Sequence, residues 1–227
     1  MTTFVTEDRI NAVTIEFPER LVVQGSDEWK AVRLGHVSAS CVADVMAKGK
    51  GGAEAITRKK YKMRIVAERL TGQGQESFSN SAMEWGNEQE SFARQAYEVS
   101  HETFVDKTGF WKHPTIKWLG VSPDGLVNSD GLVEIKCPNS TTHLDYLIAD
   151  QIPSEYYKQM QCQMWVTGRL WCDFVSYDPR IRSDKNKLFV KRCVRDDVFI
   201  AEMEAEVLKF LDEVNELLIN LNGAENE

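Results

Sequence analysis

The sequence predicts a single α/β domain in which a central mixed β-sheet is flanked by helices, and three observations carry that expectation. Stretches with helical spacing fill residues 26–100 and return at the carboxyl end. Short segments rich in aromatic and β-branched residues, separated by Gly, Asn and Asp, crowd residues 101–195. A length of 227 residues suits one buried core rather than two.

Each element has its own signal. Ser26 precedes Asp27, Glu28 and Trp29, a helix start with acids in the first turn. Ser38 is placed to cap a second short helix running toward Ala47. Glycine-rich residues 49–52 read as a loop, with an echo at 71–74. Residues 57–71 and 81–100 carry helical spacing, the second with Met83, Trp85, Phe92 and Ala96 set among charges. After His101 the pattern changes, and residues 103–111, 118–127 and 132–136 read as consecutive strands. A helix is expected over 154–166, strands near 171–177 and 188–194, and a closing helix over about 197–221. In that helix Met203, Val207, Phe210, Val214, Leu217 and Leu221 recur every three or four residues, as a face packed on a core does.

Composition excludes several classes. A formal charge of -8 argues against a protein that coats DNA, because that affinity comes from neutralising phosphates. DNA held in a local basic channel remains compatible with an acidic, soluble outer face. Cys41, Cys137, Cys162, Cys172 and Cys193 form no C-x-x-C pair and the four histidines are scattered, so neither zinc nor an iron–sulfur cluster is expected. No apolar run approaches the roughly 20 residues of a membrane helix, and the amino terminus lacks a basic, apolar leader. A cytoplasmic protein with no membrane partner and with reduced thiols is expected.

The most informative stretch is Ser122-Pro123-Asp124-Gly125, followed after a short gap by Glu134-Ile135-Lys136-Cys137-Pro138. In a strand, Glu134 and Lys136 project from one face while Ile135 faces the other way into apolar packing. If the chain returns through a turn at 128–131, the Asp124 carboxylate lies beside Glu134. Two acids so placed attract a hard divalent cation with incomplete protein ligation, as magnesium binds at phosphate substrates. The Ile135 carbonyl is a further candidate ligand. Lys136 can hold or deprotonate a water, or neutralise phosphate charge. The same triplet form recurs at Glu28-Trp29-Lys30, but in helical sequence with no Pro-Asp upstream. The bland alternative for Glu134 and Lys136 is an exposed cross-strand ion pair, worth roughly 0.2–1 kcal/mol.

This arrangement resembles the PD-(D/E)-x-K nucleases, and specifically the phage lambda exonuclease family of viral recombination. Further matches in the same order are Trp29 with Arg33-Leu34-Gly35, Ser38-Ala39-Ser40, Trp85-Gly86 with Glu90, and Gln159 with Gln161 before Met164-Trp165-Val166. The resemblance implies one restriction-endonuclease-like nuclease domain over 1–227. It implies a catalytic centre of Asp124, Glu134 and Lys136, with Glu90 as a third acid at the metal and Gln159 beside the lysine. Two Mg2+ ions are expected, with Mn2+ able to substitute. Arg33 and Ser40 would bind a terminal 5'-phosphate, Lys50 would stand where the family has an arginine at the DNA end, and Met83 would be the apolar wedge that parts the terminal base pairs. The activity implied is 5'-to-3' degradation of one strand of linear double-stranded DNA. A homotrimeric ring, a single-strand annealing protein as partner, and a bacterial host cell with prophage origin complete the expectation. The alternatives are a restriction-type endonuclease with the same metal core and a non-catalytic DNA-binding or assembly module.

Overall fold

Ser26 opens the first helix as its sequence suggests: its hydroxyl accepts the Trp29 N–H at 3.1 Å, and α1 (Asp27–Arg33) follows. The structure, a computed structural model, describes residues 22–74 and 81–223. Ser38 behaves differently from expectation. It ends β1 (Val37–Ser38), makes no capping hydrogen bond, and leads through a 3-10 turn into a helix of one turn, α2 (Val42–Val45). Two long helices, α3 (Ile56–Thr71) and α4 (Ser81–His101), complete the amino-terminal half.

Two of the expected strands are each split in two. Residues 103–111 yield β2 (Val105–Asp106) and β3 (Trp111–Lys112), and residues 118–127 yield β4 (Leu119–Val121) and β5 (Gly125–Val127). The second break falls at Ser122-Pro123-Asp124, where proline has no N–H to continue a ladder. The expected single sheet is therefore two. A three-stranded sheet runs β1-β4-β3, and a five-stranded sheet runs β2-β5-β6-β7-β8, with β6 (Gly131–Lys136), β7 (Trp171–Tyr177) and β8 (Leu188–Val194). In the larger sheet β6 and β7 are parallel and the other pairings antiparallel, so it is mixed as expected.

Helix α5 (Ser140–Ala149) was not expected from the sequence; Asn139 caps it, accepting the Thr142 N–H at 2.9 Å. Helices α6 (Ser154–Thr167) and α7 (Asp197–Gly223) lie where predicted. Side-chain alternation along β6 divides the core. Val133 and Ile135 pack with Ala93 and Tyr97 of α4, whereas Leu132 faces Met160 and Met164 of α6. Met203, Val207, Phe210 and Val214 of α7 are fully buried against α3 and the small sheet, but Leu221 is exposed, so that stripe ends a turn early. On α4 the buried face is Ala93 and Tyr97 rather than Phe92, which is also exposed. All five cysteines are free thiols. No helix of the described residues is long and apolar enough to cross a membrane.

Candidate active site

The break between the sheets creates the site. Gly125 pairs with Val133 across the antiparallel β5–β6 ladder, which sets Asp124 opposite Glu134. Glycine is required there because a Cβ at residue 125 would lie 2.1 Å from the Val105 methyl. The Ile135 N–H donates to Asp124 Oδ2 at 2.7 Å, holding the carboxylate against the Ile135 peptide. Glu134 and Lys136 share the α6 face of β6, with Lys136 Nζ 2.5 Å from Glu134 Oε1. Glu134 is 1% exposed, and both its oxygens are engaged: Gln159 Nε2 donates to Oε1 and Gln163 Nε2 to Oε2, each at 2.7 Å. Gln163 had no place in the sequence reading. Its spacing of four from Gln159 was the available signal, since i and i+4 share one helix face. Gln161, quoted in the resemblance, turns away to donate to the Val194 carbonyl and to accept from the Asp196 N–H.

Burial beside Glu134, with Glu90 adding like charge, pushes the Asp124 carboxyl well above its usual range, against the opposing pull of Lys136 and the Ile135 N–H. Burial works against the charge on Lys136, but Glu134 and Asp124 outweigh it and hold the ammonium above the ordinary lysine range. The Lys136 ammonium also lies 5.0 Å from the Tyr156 ring centroid. Glu90 reaches the same place from α4 and pairs with Arg94 at 2.5 Å. A cavity of about 220 Å³ next to Asp124 is lined by Glu90, Arg94, Lys107, Thr108 and Gln24. Gln24, another residue the sequence did not single out, donates to the Pro123 carbonyl at 2.6 Å and to the Thr108 carbonyl at 3.0 Å.

This donor set suits a hard divalent cation. Three carboxylates (Asp124, Glu134 and Glu90) face one ammonium and one guanidinium, and the acid left without a cation of its own is Asp124, whose ionisation the others oppose. Glu134 is already claimed by its three donors, and among the described residues no group of three His, Cys, Asp or Glu side chains converges as a ready-made metal cage. Oxygens available to a cation are those of Asp124 and Glu90, with Glu134 and the Ile135 carbonyl alongside.

The expected DNA-end residues divide. Arg33 stacks on Trp29, 3.8 Å from the ring centroid, and among the described residues it forms no ion pair, Glu68 acting on it only at longer range; Lys30, not Arg33, takes Asp27. Burial draws the Arg33 guanidinium below its ordinary value, and its Nε lacks an acceptor. It lines a cavity of about 810 Å³ with Trp29, Ser38, Tyr61, Arg64 and Glu68. Arg64, a second guanidinium in that cavity, has no local signal that singles it out. Ser40 is nearby, its hydroxyl 3.2 Å from that of Ser38, and the Trp29 indole N–H donates to Ser122 Oγ at 3.0 Å, joining this cavity to the Asp124 turn. Lys50 is exposed on a glycine turn and does not line the Arg33 cavity. The Met83 side chain lies outside the described residues.

Residues 28–170 match the YqaJ-like viral recombinase domain. The chain is 45% identical to an alkaline exonuclease (LHK-Exo) of Laribacter hongkongensis, with a TM-score of 0.82 over 88% of this chain and 98% of that one. The same enzyme in complex with dAMP superposes with a TM-score of 0.83 at 46% identity, covering 88% of this chain and 98% of that one. A phage-related exonuclease of Haemophilus somnus shares the fold at 18% identity, with a TM-score of 0.66 over 82% of this chain and 96% of that one. An uncharacterized protein of Acanthamoeba polyphaga mimivirus is 27% identical over 168 residues, 67% of this chain; the match spans only 28% of that relative's length.

Proposed function

Since the chain belongs to the YqaJ-like viral recombinase family, within the lambda exonuclease-like group, we propose that it is a magnesium-dependent exonuclease. It removes 5'-nucleotides from one strand of linear duplex DNA and leaves a 3' overhang for recombination by strand annealing. The observation that carries this reading is the Asp124–Glu134–Lys136 cluster, with Glu90 facing it and a net surplus of carboxylate charge. The dAMP bound by the 46% identical relative supports a 5'-mononucleotide as product.

The residues divide the work. Asp124, Glu134, Glu90 and the Ile135 carbonyl would hold Mg2+, or Mn2+ in its place, in a two-metal site. When bound, the metal polarises the phosphoryl oxygens and lowers the pKa of the attacking water. Gln159 and Gln163 fix the Glu134 rotamer, so the acid does not reorient during turnover. Lys136, held cationic by the two acids, orients that water and neutralises charge building on the phosphate. Arg33 on its Trp29 platform, with Ser40, binds the terminal 5'-phosphate, and the Trp29–Ser122 hydrogen bond ties that contact to the Asp124 turn. A guanidinium is suited to this because its fork meets phosphate oxygens in pairs. Assembly into a homotrimeric ring and delivery of the overhang to a single-strand annealing protein complete the proposal.

The test uses linear duplexes labelled at the 5' or the 3' end, each with a 5'-phosphate or a 5'-hydroxyl, beside closed circular duplex, all with magnesium. Release of 5' label as mononucleotide, faster on phosphorylated ends and absent on the circle, is expected. Nicking of the circle would instead assign the core to an endonuclease, and no cleavage of any substrate would assign the fold to a binding module.

A further inference from the structure

Off the carboxyl ends of β6 and β7 a guanidinium is held in a fixed pose. Arg180 Nε donates to Asp178 Oδ1 at 2.7 Å, while Nη2 donates to Asp178 Oδ2 at 3.2 Å and to the Pro138 carbonyl at 3.0 Å. Asp178 is fully buried and also accepts the Arg180 backbone N–H at 3.0 Å. The guanidinium carbon sits 4.4 Å from the centroid of the Trp85 ring. Neutralising Asp178 occupies only one edge of the group. No acceptor among the described residues takes the two N–H groups on Nη1, and the side chain is 44% exposed.

Its surroundings belong to the catalytic centre. Lys136 lies beside Ser176 in the parallel register, so Pro138 and Asp178, each two residues on, extend the same end of the sheet. Trp85 precedes Glu90 on α4 by five residues, about 7.5 Å along the helix axis. Arg33 connects to the β5 flank of β6 through Trp29 and Ser122, whereas Arg180 stands on the β7 flank. In strand order β6, which carries Glu134 and Lys136, lies between the flanks of the two arginines, each stacked on a tryptophan. A planar cation that is stacked, hydrogen-bonded through Nε and Nη2 and open at Nη1 has little freedom left to lose on meeting a phosphate.

We propose that Arg180, carried on Trp85 and Asp178, binds a backbone phosphate of the cleaved strand on the interior side of the scissile bond. This rests on the exonuclease reading above, with the 5' end held at Arg33. The two contacts would then stretch the strand across Lys136, fixing which linkage meets the acids.

The experiment measures binding of metal-free protein to a 5'-phosphorylated linear duplex as salt is varied, so that no cleavage intervenes. Arg180→Gln alone would leave Asp178 buried without a counter-charge, so the informative variant is Arg180→Gln with Asp178→Asn. Kd should rise about tenfold, and the slope of log Kd against log salt should fall by about one unit, the signature of one lost phosphate contact. Arg180→Lys, keeping the charge without the fork, should retain the slope and lose part of the affinity. Neutral methylphosphonate linkages placed one at a time should reveal one interior position of the cleaved strand that weakens wild type but not the double variant. An unchanged slope with no such position overturns the proposal, as does a sensitive position at the terminal phosphate or in the uncut strand. Absence of end-dependent cleavage by wild type with magnesium would count against the exonuclease reading, which this metal-free scan does not measure.

Discussion

Arg58 and Lys62 on α3 face Glu54 and Glu213 at 2.6–2.8 Å, two cations against two carboxylates. Asp124, Glu134 and Glu90 face Lys136 and Arg94, three carboxylates against two cations. The side-chain types are the same, and both clusters pin helices to their neighbours. Their electrostatics are opposite. In the first, hydrogen bonds from Arg58, and then Lys62, bring the Glu213 carboxyl down to about 2 against the effect of burial. In the second, burial and the neighbouring acids push Asp124 up. Where charges balance, the cluster holds the fold; where one carboxylate is left over, its ionisation is opposed, and a divalent cation would relieve that opposition.

Substitutions in the two clusters should therefore be felt in different measurements. Lys136→Ala should lower turnover per folded molecule on linear duplex by roughly 10²–10⁴-fold at saturating magnesium, a loss that persists after any fall in stability is allowed for, since Glu134 keeps its Gln159 and Gln163 donors. A rate within a few-fold of wild type would remove Lys136 from the chemistry. Arg58→Ala should do the reverse. It leaves Glu213 with Lys62 alone and frees the Val45 carbonyl, which accepts Arg58 Nε at 3.1 Å, so stability should drop by about 1–3 kcal/mol in denaturant titration. Turnover per folded molecule should hold; its collapse would break the contrast.

Smaller effects test the sign of each shift. The Asp124 carboxyl titrates above its unfolded value of about 3.9, so without metal its contribution to stability is greatest below that pH and declines as pH rises toward the folded value. On the proposed reading, a bound metal would take the place of the proton beyond that point. Magnesium should raise the thermal midpoint more at pH 8 than at pH 5, and Asp124→Asn should erase the difference; an equal increment at both pH values would contradict it. Glu213 has the opposite sign, since its folded value of about 2 lies below an unfolded value of about 4.3. It stabilises above the unfolded value, and the contribution fades as pH falls toward the folded one. Glu213→Gln should flatten that acid limb in pH-dependent unfolding, the smallest effect of the four.

Much of this was legible before any coordinates. The order of helices and strands follows from periodicity, and the Asp124, Glu134 and Lys136 cluster from a strand pattern with Pro-Asp upstream. What escaped depended on partners far along the chain. Residues 118–127 read as one strand because each half has strand composition, and only pairing shows that Pro123 transfers the chain between sheets. Gln163 looked like any helix amide until Glu134 was found under it. Arg64 and Arg180 gain meaning from Cys41 and Trp85, residues distant in sequence, and no local pattern encodes those contacts.

The Ser122–Asp124 link has a further consequence, for folding. β4 takes its place only when β1 and β3 have joined it, and β5 only when it meets β2 and β6. Asp124 sits between these assemblies, and it is the pairing of β5 with β6 that brings it to Ile135. A chain still emerging from the ribosome, with β6 made and α6 not yet synthesised, has that hairpin without the Gln159 and Gln163 donors that hold Glu134. The centre is therefore completed by parts that join late in the chain, Glu90 having come long before from α4 and the two glutamines arriving last from α6.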